Sequence, residues 1–285
     1  MKPEILNLIS YSGGKDSGAL ALHLVDQGVP NLVLAMCDTH WEHPLTMRYA
    51  YEFARKVGLR LVLLDSEGME AMALRKGRAP SATRRFCTDE LKLKPFRKYV
   101  AGLQERGLDV VVWVGVRAEE SPSRAKLPCD EWSKEYNALL ARGILKWTIA
   151  EVLEIHARYG VPMNPLYKLG MGRVGCMPCV MANKSELKAI AERFPEVYDK
   201  VAALEAKVGR TFWPPNRTPS KFCSKFDDVE REATDERPAF VERVPLATAY
   251  DVKTWALTER GQAPGQIAMF PEGPAACQSK CALCE

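Results

Sequence analysis

Four short apolar runs lie in the first part of the chain, at residues 5–9, 32–36, 61–64 and 110–114, each rich in Val, Leu and Ile. A strand with one wet face would alternate apolar and polar residues, so runs like these predict parallel strands covered on both faces. Longer amphipathic segments separate them, near residues 17–27, 44–57 and 90–105. The alternation of strand and helix predicts an α/β fold, a doubly wound parallel sheet with its ligand beyond the carboxyl ends of the strands. Residues 147–159 carry helical periodicity (Ile149, Val152, Leu153, Ile155) until Gly160 and Pro162 stop it. Two more helices are expected over 184–193 and 196–208, parted by Pro195, and a long surface excursion over 211–242, where Pro and charge accumulate. The expected division is a nucleotide-binding α/β domain over 1–160 and a smaller helical region over 161–285.

The composition of the 285 residues, 47% hydrophobic and 27% charged, is that of an ordinary globular protein. No apolar run reaches eighteen residues, and the first four residues lead straight into a strand, so neither a membrane span nor a signal peptide is expected. The expected location is the cytoplasm. A net charge of +4 is mild, but Arg75, Lys76, Arg78, Arg84, Arg85, Lys92, Lys94, Arg97 and Lys98 face only Asp89 and Glu90 in their stretch, a local excess that attracts anions. Nine cysteines without an export signal argue against a disulfide framework. Cys176 with Cys179, and Cys277, Cys281 and Cys284 near the end, are clustered as metal ligands would be.

Ser12-Gly13-Gly14-Lys15-Asp16-Ser17 follows the first strand and opens the first helix. In that context backbone N–H groups converge on one spot, the helix dipole adds partial positive charge, and Lys15 adds a full one. Adjacent glycines let the backbone approach phosphate oxygens. Ser12 and Ser17 offer hydroxyls, and Asp16 suits a magnesium ion or a brace for the loop. The Walker A spacing fails, because Asp16 follows Lys15. Asp38 ends the second strand, where base or ribose contacts are common. Thr88 and Asp89 read as a helix N-cap that would set Cys87 at a helix N-terminus, where a thiolate is favoured. Arg117 and Arg124, beyond the fourth strand, are placed to clamp phosphate or sulfate. His156 reads as a helix-face histidine. Four thiolates from the cysteine clusters suit either zinc or an iron–sulfur cluster.

The loop resembles the pyrophosphate loop (PP-loop) of the N-type ATP pyrophosphatases, Ser-Gly-Gly-x-Asp-Ser. With Cys87-Thr88, Leu91-Lys92 and Pro95, Gly115-x-Arg117 with Glu120-Ser121 and Arg124, Trp147-Thr148, Asn164-Pro165-Leu166-Tyr167 and Gly175-Cys176-x-x-Cys179, the chain from 5 to 194 resembles the phosphoadenylylsulfate (PAPS) reductase-like family. The resemblance implies an adenine nucleotide alpha-hydrolase-like fold with a cysteine-ligated C-terminal region. It implies ATP with Mg²⁺ on residues 12–17, with Gly115, Glu120 and Ser121 also at the nucleotide, and tilts the metal towards a 4Fe-4S cluster over Zn²⁺. Two departures matter. The end, Leu283-Cys284-Glu285, lacks the Glu-Cys-Gly-Leu/Ile-His motif of true PAPS reductases, and the loop keeps Lys15 and both glycines, as in an ATP user. The nearer resemblance is to prophage-type PAPS reductase-like proteins and the sulfur-inserting enzyme of DNA phosphorothioation.

The expected function is adenylylation of an acceptor, ATP giving AMP and pyrophosphate, coupled to sulfur transfer. Lys15, Asp16, Cys87, Arg117 and Arg124 would carry the chemistry. A persulfide carrier or cysteine desulfurase is the expected sulfur donor, and the acceptor stays open: a nucleic-acid acceptor (a DNA phosphate or a tRNA base) or a small molecule would fit. Sulfonucleotide reduction releasing sulfite, and a non-catalytic nucleotide- or nucleic-acid-binding module, are the alternatives.

Overall fold

A computed structural model describes residues 5–232 and 238–259. They gather into two compact units that interleave along the chain: residues 5–69 with 86–179, and residues 70–85 with 180–259. In the first unit the apolar runs become β1 (Ile5–Ser10), β2 (Leu32–Asp38) and β3 (Arg60–Asp65), with α1 (Lys15–Asp26) and α2 (Pro44–Val57) between them. Pro44 opens α2, where its missing N–H costs nothing, and Gly58 closes it at φ 74°, a conformation cheap only for glycine. The short α3 (Gly68–Lys76) carries the chain into the second unit. Back in the first unit, the turn α4 (Phe86–Thr88) runs through a π-helical turn, Asp89–Leu93, into α5 (Lys94–Glu105), followed by β4 (Asp109–Val114).

The sheet order is β3-β2-β1-β4 and then two further strands, β6 (Ala138–Ala141) and the edge strand β5 (Asp130–Ser133). Every pairing is parallel except β5 with β6. This is the expected doubly wound α/β sheet. Its order reverses at β1, which has β2 on one side and β4 on the other, and such a switch point opens a crevice at the carboxyl ends. Ile9, Leu20, Leu24, Leu34 and Phe53 form a core on one face, and Leu8, Phe96, Val100 and Val112 a core on the other. Burial on both faces is what makes these strands read as continuous apolar runs. β5 and β6 have four residues each, and β5 is largely exposed, so neither produces a recognisable period. α6 (Ile149–Arg158) starts from a capping box, Thr148 with Glu151, and α7 (Pro165–Lys168) from the side chain of Asn164.

The second unit contains α8 (Lys184–Arg193), α9 (Glu196–Val208), the antiparallel pair β7 (Lys225–Arg231) and β8 (Phe240–Leu246), and α10 (Ala249–Ala256). The excursion expected over 211–242 is therefore partly a two-stranded ribbon. Its polar sequence hid it, because a ribbon exposed over most of its length has no buried face to impose alternation. Among the described residues no helix is long and apolar enough to cross a membrane.

Candidate functional site

The Ser12-to-Ser17 turn leaves the end of β1 at the switch point and becomes the first turn of α1. Gly13 takes φ 74°, and Gly14 is the N-cap with no side-chain cap of its own. Helix geometry leaves the first N–H groups without intrahelical acceptors. Within the turn, Ser12 Oγ accepts from Gly14 N at 3.3 Å and lies 3.2 Å from Ser17 Oγ, which donates to Gly14 O at 3.1 Å.

Three of the loop's side chains are buried although two are charged: Lys15, Asp16 and Ser17 are all at most 5% exposed. Asp16 balances two cations. Its Oδ2 lies 2.8 Å from Lys15 Nζ and its Oδ1 2.5 Å from Arg117 Nε, and Arg117 also reaches Glu119 at 2.5 Å. Burial alone would raise the Asp16 carboxyl, but Lys15 and Arg117 outweigh it and hold its pKa below the ordinary value. Gly115, just past β4, completes the assembly by being small. A Cβ there would come within 2.9 Å of the Ser17 backbone.

Arg117 and Arg124, expected as a phosphate clamp, are both buried and both ion-paired. Glu120 Oε2 accepts from Arg117 N at 2.8 Å and pairs with Arg124, while Glu120 Oε1 is buried with no partner among the described residues. Ser121 Oγ accepts from Arg124 N at 3.2 Å. Asp38 Oδ1 accepts from His40 N at 2.8 Å, so this carboxylate folds its own turn. The expected N-cap ahead of residue 90 is not formed. The helix already starts at Phe86, Thr88 has helical dihedrals and caps nothing, and Cys87 lies in the first turn. The basic stretch divides between units, Arg75 to Arg85 in the second and Lys92 to Lys98 in the first.

A cavity of about 260 Å³ opens at the carboxyl ends of β1, β2 and β4, lined by Ser12, Cys37, Glu42, Lys92, Glu135 and Arg142 among others. That is just below the range for small-molecule sites, ~300 Å³ upward. Burial pushes the Cys37 thiol up to about 12, and the thiol donates to Lys92 O, so Cys37 is an inert wall residue.

Sequence reasoning missed what holds the loop from behind. Tyr167 Oη accepts from Lys15 N at 3.0 Å, His156 Nε2 lies 2.9 Å from Lys15 O, and Asn164 Nδ2 donates to Gly13 O at 3.3 Å. These partners lie 141 to 152 residues away along the chain, and although Asn164 and Tyr167 stand in a family mark, no local pattern announces their contact with the loop.

The Cys-x-x-Cys turn is pinned to the segment after β2. Glu42 and Cys176 form an isolated bridge, Trp41 Nε1 donates to Pro178 O at 3.2 Å, and Met177 N donates to Trp41 O. Cys176 Sγ lies 3.4 Å from Thr39 Oγ1 and 3.6 Å from Glu42 Oε1, and Arg173 Nη2 donates to Cys179 Sγ at 2.7 Å. Two thiols are half of a tetrathiolate set, and among the described residues no three His, Cys, Asp or Glu gather to hold a metal ion. Cys277, Cys281 and Cys284 lie outside the described residues.

The family of the phosphoadenosine phosphosulfate reductase domain matches residues 7–182, a span that contains most of β1, the loop, Gly115, Arg117 and the Cys-x-x-Cys turn. The chain belongs to that family. A 37.8 kDa protein from the gpa 5' region of Escherichia phage 186 is 34% identical, over 98% of this chain and 97% of its own length. The adenosine 5'-phosphosulfate reductase of Allochromatium vinosum is 34% identical over 35% of this chain, which spans only 36% of that enzyme. The chain likewise spans 40% and 52% of two archaeal relatives. Among solved structures, the phosphoadenylyl-sulfate reductase of Candida auris, in a phosphate complex, matches with a TM-score of 0.46 and 20% identity, over 62% of this chain and 83% of that one.

Proposed function

We propose that this PAPS reductase-like protein is an ATP pyrophosphatase that adenylylates an acceptor and couples the adenylate to sulfur transfer. The observation that carries the reading is the buried Lys15–Asp16–Arg117 network at the head of α1, on a glycine turn at the sheet's switch point. A helix N-terminus beside two cations suits a polyphosphate. The β- and γ-phosphates would rest on residues 12–17 with Mg²⁺, and adenosine would fill the neighbouring cavity. An acceptor oxyanion would attack the α-phosphorus, forming one P–O bond as the bond to pyrophosphate breaks. A sulfur nucleophile would then displace AMP. Lys15 and Arg117, already aligned in a dry site, would stabilise the charge that develops on the phosphates.

Within this reading Cys176 and Cys179 would supply two thiolates to a 4Fe-4S cluster, with the remaining ligands from Cys277, Cys281 and Cys284. The cluster would serve to hold or pass sulfur. The soft thiolate donors and the N–H of Arg173 on Cys179 suit such a group. A persulfide donor and an acceptor that carries an oxyanion are the partners the chemistry calls for, and a DNA phosphate, a tRNA base or a small molecule would supply that acceptor. A second reading, reduction of a sulfonucleotide to sulfite, draws on the kinship with adenosine 5'-phosphosulfate reductases. One experiment separates them. Anaerobically purified protein is given ATP and candidate acceptors, or adenylylsulfate with a thiol. AMP and pyrophosphate from ATP support the first reading. Sulfite release without pyrophosphate supports the second.

A further inference from the structure

The phosphate loop leans on a histidine that neither its motif nor the proposed chemistry uses. His156, in the last turn of α6 and 3% exposed, presents Nε2 to Lys15 O at 2.9 Å and Nδ1 to Val161 O at 3.3 Å. Both neighbours are carbonyls, which only accept. A neutral imidazole has a single N–H, so one ring nitrogen must turn its lone pair on an oxygen, whereas an imidazolium donates to both. The ring is held in place. A methyl group at Gly18 would come within 2.9 Å of Cε1, and the Phe53 ring packs 6.5 Å away, centroid to centroid.

The groups that face this ring are few. From α1 come Asp16, which favours the cation, and Lys15, which opposes it, and Asp16 is also engaged by Arg117. From α7 comes Tyr167, whose hydroxyl holds the N–H of the same Lys15. From α2 comes the uncharged Phe53. Arg158 on α6 itself is occupied with Asp26. Burial lowers the imidazole's pKa, while the two carbonyls and Asp16 pull it up without overcoming burial. The hydrogen-bond geometry thus asks for a second proton that burial beside Lys15 refuses. An anion resting on the loop would offset the charge of Lys15, and so would remove part of that refusal.

We propose that His156 is a positioning residue of the phosphate loop, and that it takes up one proton from solvent when a polyphosphate binds. The extra N–H then holds Val161 O, while the Lys15 peptide is gripped on its carbonyl by His156 and on its N–H by Tyr167. This inference rests on the nucleotide reading above, and the experiment separates the two. ATP affinity is measured against pH for the wild type and for His156→Gln, whose amide donates but does not titrate. The nucleotide's own titration is common to both proteins. The wild type should lose affinity more steeply as pH rises, by up to about tenfold per pH unit over the window in which the proton is taken up. In His156→Gln that extra slope should vanish. Nitrogen-15 spectra of the wild-type ring, which need no variant, should show one protonated nitrogen without ATP and two with it. Saturable binding with equal slopes, or a ring still singly protonated in the complex, overturns the inference alone. Absence of saturable ATP binding overturns both.

Discussion

The phosphate loop and the Cys-x-x-Cys turn are both glycine-led turns of the first unit, yet they close their polar bonds differently. Around Lys15 charges meet opposite charges at contact distance, through Asp16, Arg117 and Glu119, and Tyr167 and His156 clamp the same peptide. Around Cys176 and Cys179 the backbone is equally well fixed, and the thiols lie beside hydrogen-bonding neighbours that include Thr39, Glu42 and Arg173. A loop built from backbone N–H groups and a helix end makes its site locally. A thiolate site must collect ligands from distant parts of the chain, so its geometry cannot be read from one turn.

The sharpest way to break this contrast is to remove the central carboxylate. Asp16→Ala removes the buried carboxylate that Lys15 and Arg117 share. It should destabilise the fold by about 3–5 kcal/mol, read from urea unfolding. An equal loss in Cys176→Ser would erase the distinction between loop and turn. The same carboxylate sets a pH signature. Its folded pKa lies below the ordinary 3.8, so its stabilisation is complete above the unfolded value and fades as pH falls through the folded one. Asp16→Asn should flatten that acid limb of the stability curve.

Next in size, Lys15→Ala should cost about 3–4 kcal/mol of transition-state stabilisation in pyrophosphate release. On the proposed cluster, Cys176→Ser should instead lower the iron content of anaerobically purified protein and keep ATP affinity. Retained turnover in Lys15→Ala would remove the loop from the chemistry. Gly115→Ala should cost about 1–3 kcal/mol, since the new methyl meets backbone that must shift. The loss should appear in both the urea midpoint and ATP binding, and a variant as stable as wild type would mean that the loop yields freely. Thr148→Ala, which opens the α6 capping box, should cost only about 1 kcal/mol. A change in ATP affinity larger than that would mean that α6 conveys its position to the loop through His156.

Much of the scaffold was legible because its strands are buried on both faces. The runs at 32–36 and 110–114 grew by only one or two residues into β2 and β4, and the segment at 44–57 is α2 without change. What was not legible lacked a two-sided or periodic burial pattern: four-residue β5 and β6, and the exposed β7–β8 ribbon. At the site, Arg117 was picked out as a phosphate clamp, but its hydrogen bond to Asp16 spans 101 residues and no local rule predicts it. His156 was read as a helix-face residue because helical spacing says which face a side chain occupies and nothing about what lies opposite.

The sequence by itself determined the parallel α/β class, the place of the glycine turn at the end of β1 and the membership in the phosphoadenosine phosphosulfate reductase domain family. Those depend on neighbours a few residues apart, where sterics and burial act through the local period. The tertiary structure alone decided that Asp16 is shared between Lys15 and Arg117, that Gly115 must be small, and that His156 and Tyr167 hold one peptide of the loop from both sides. Each is a contact between segments far apart in the chain, and its energy exists only once the sheet has brought the strand ends together.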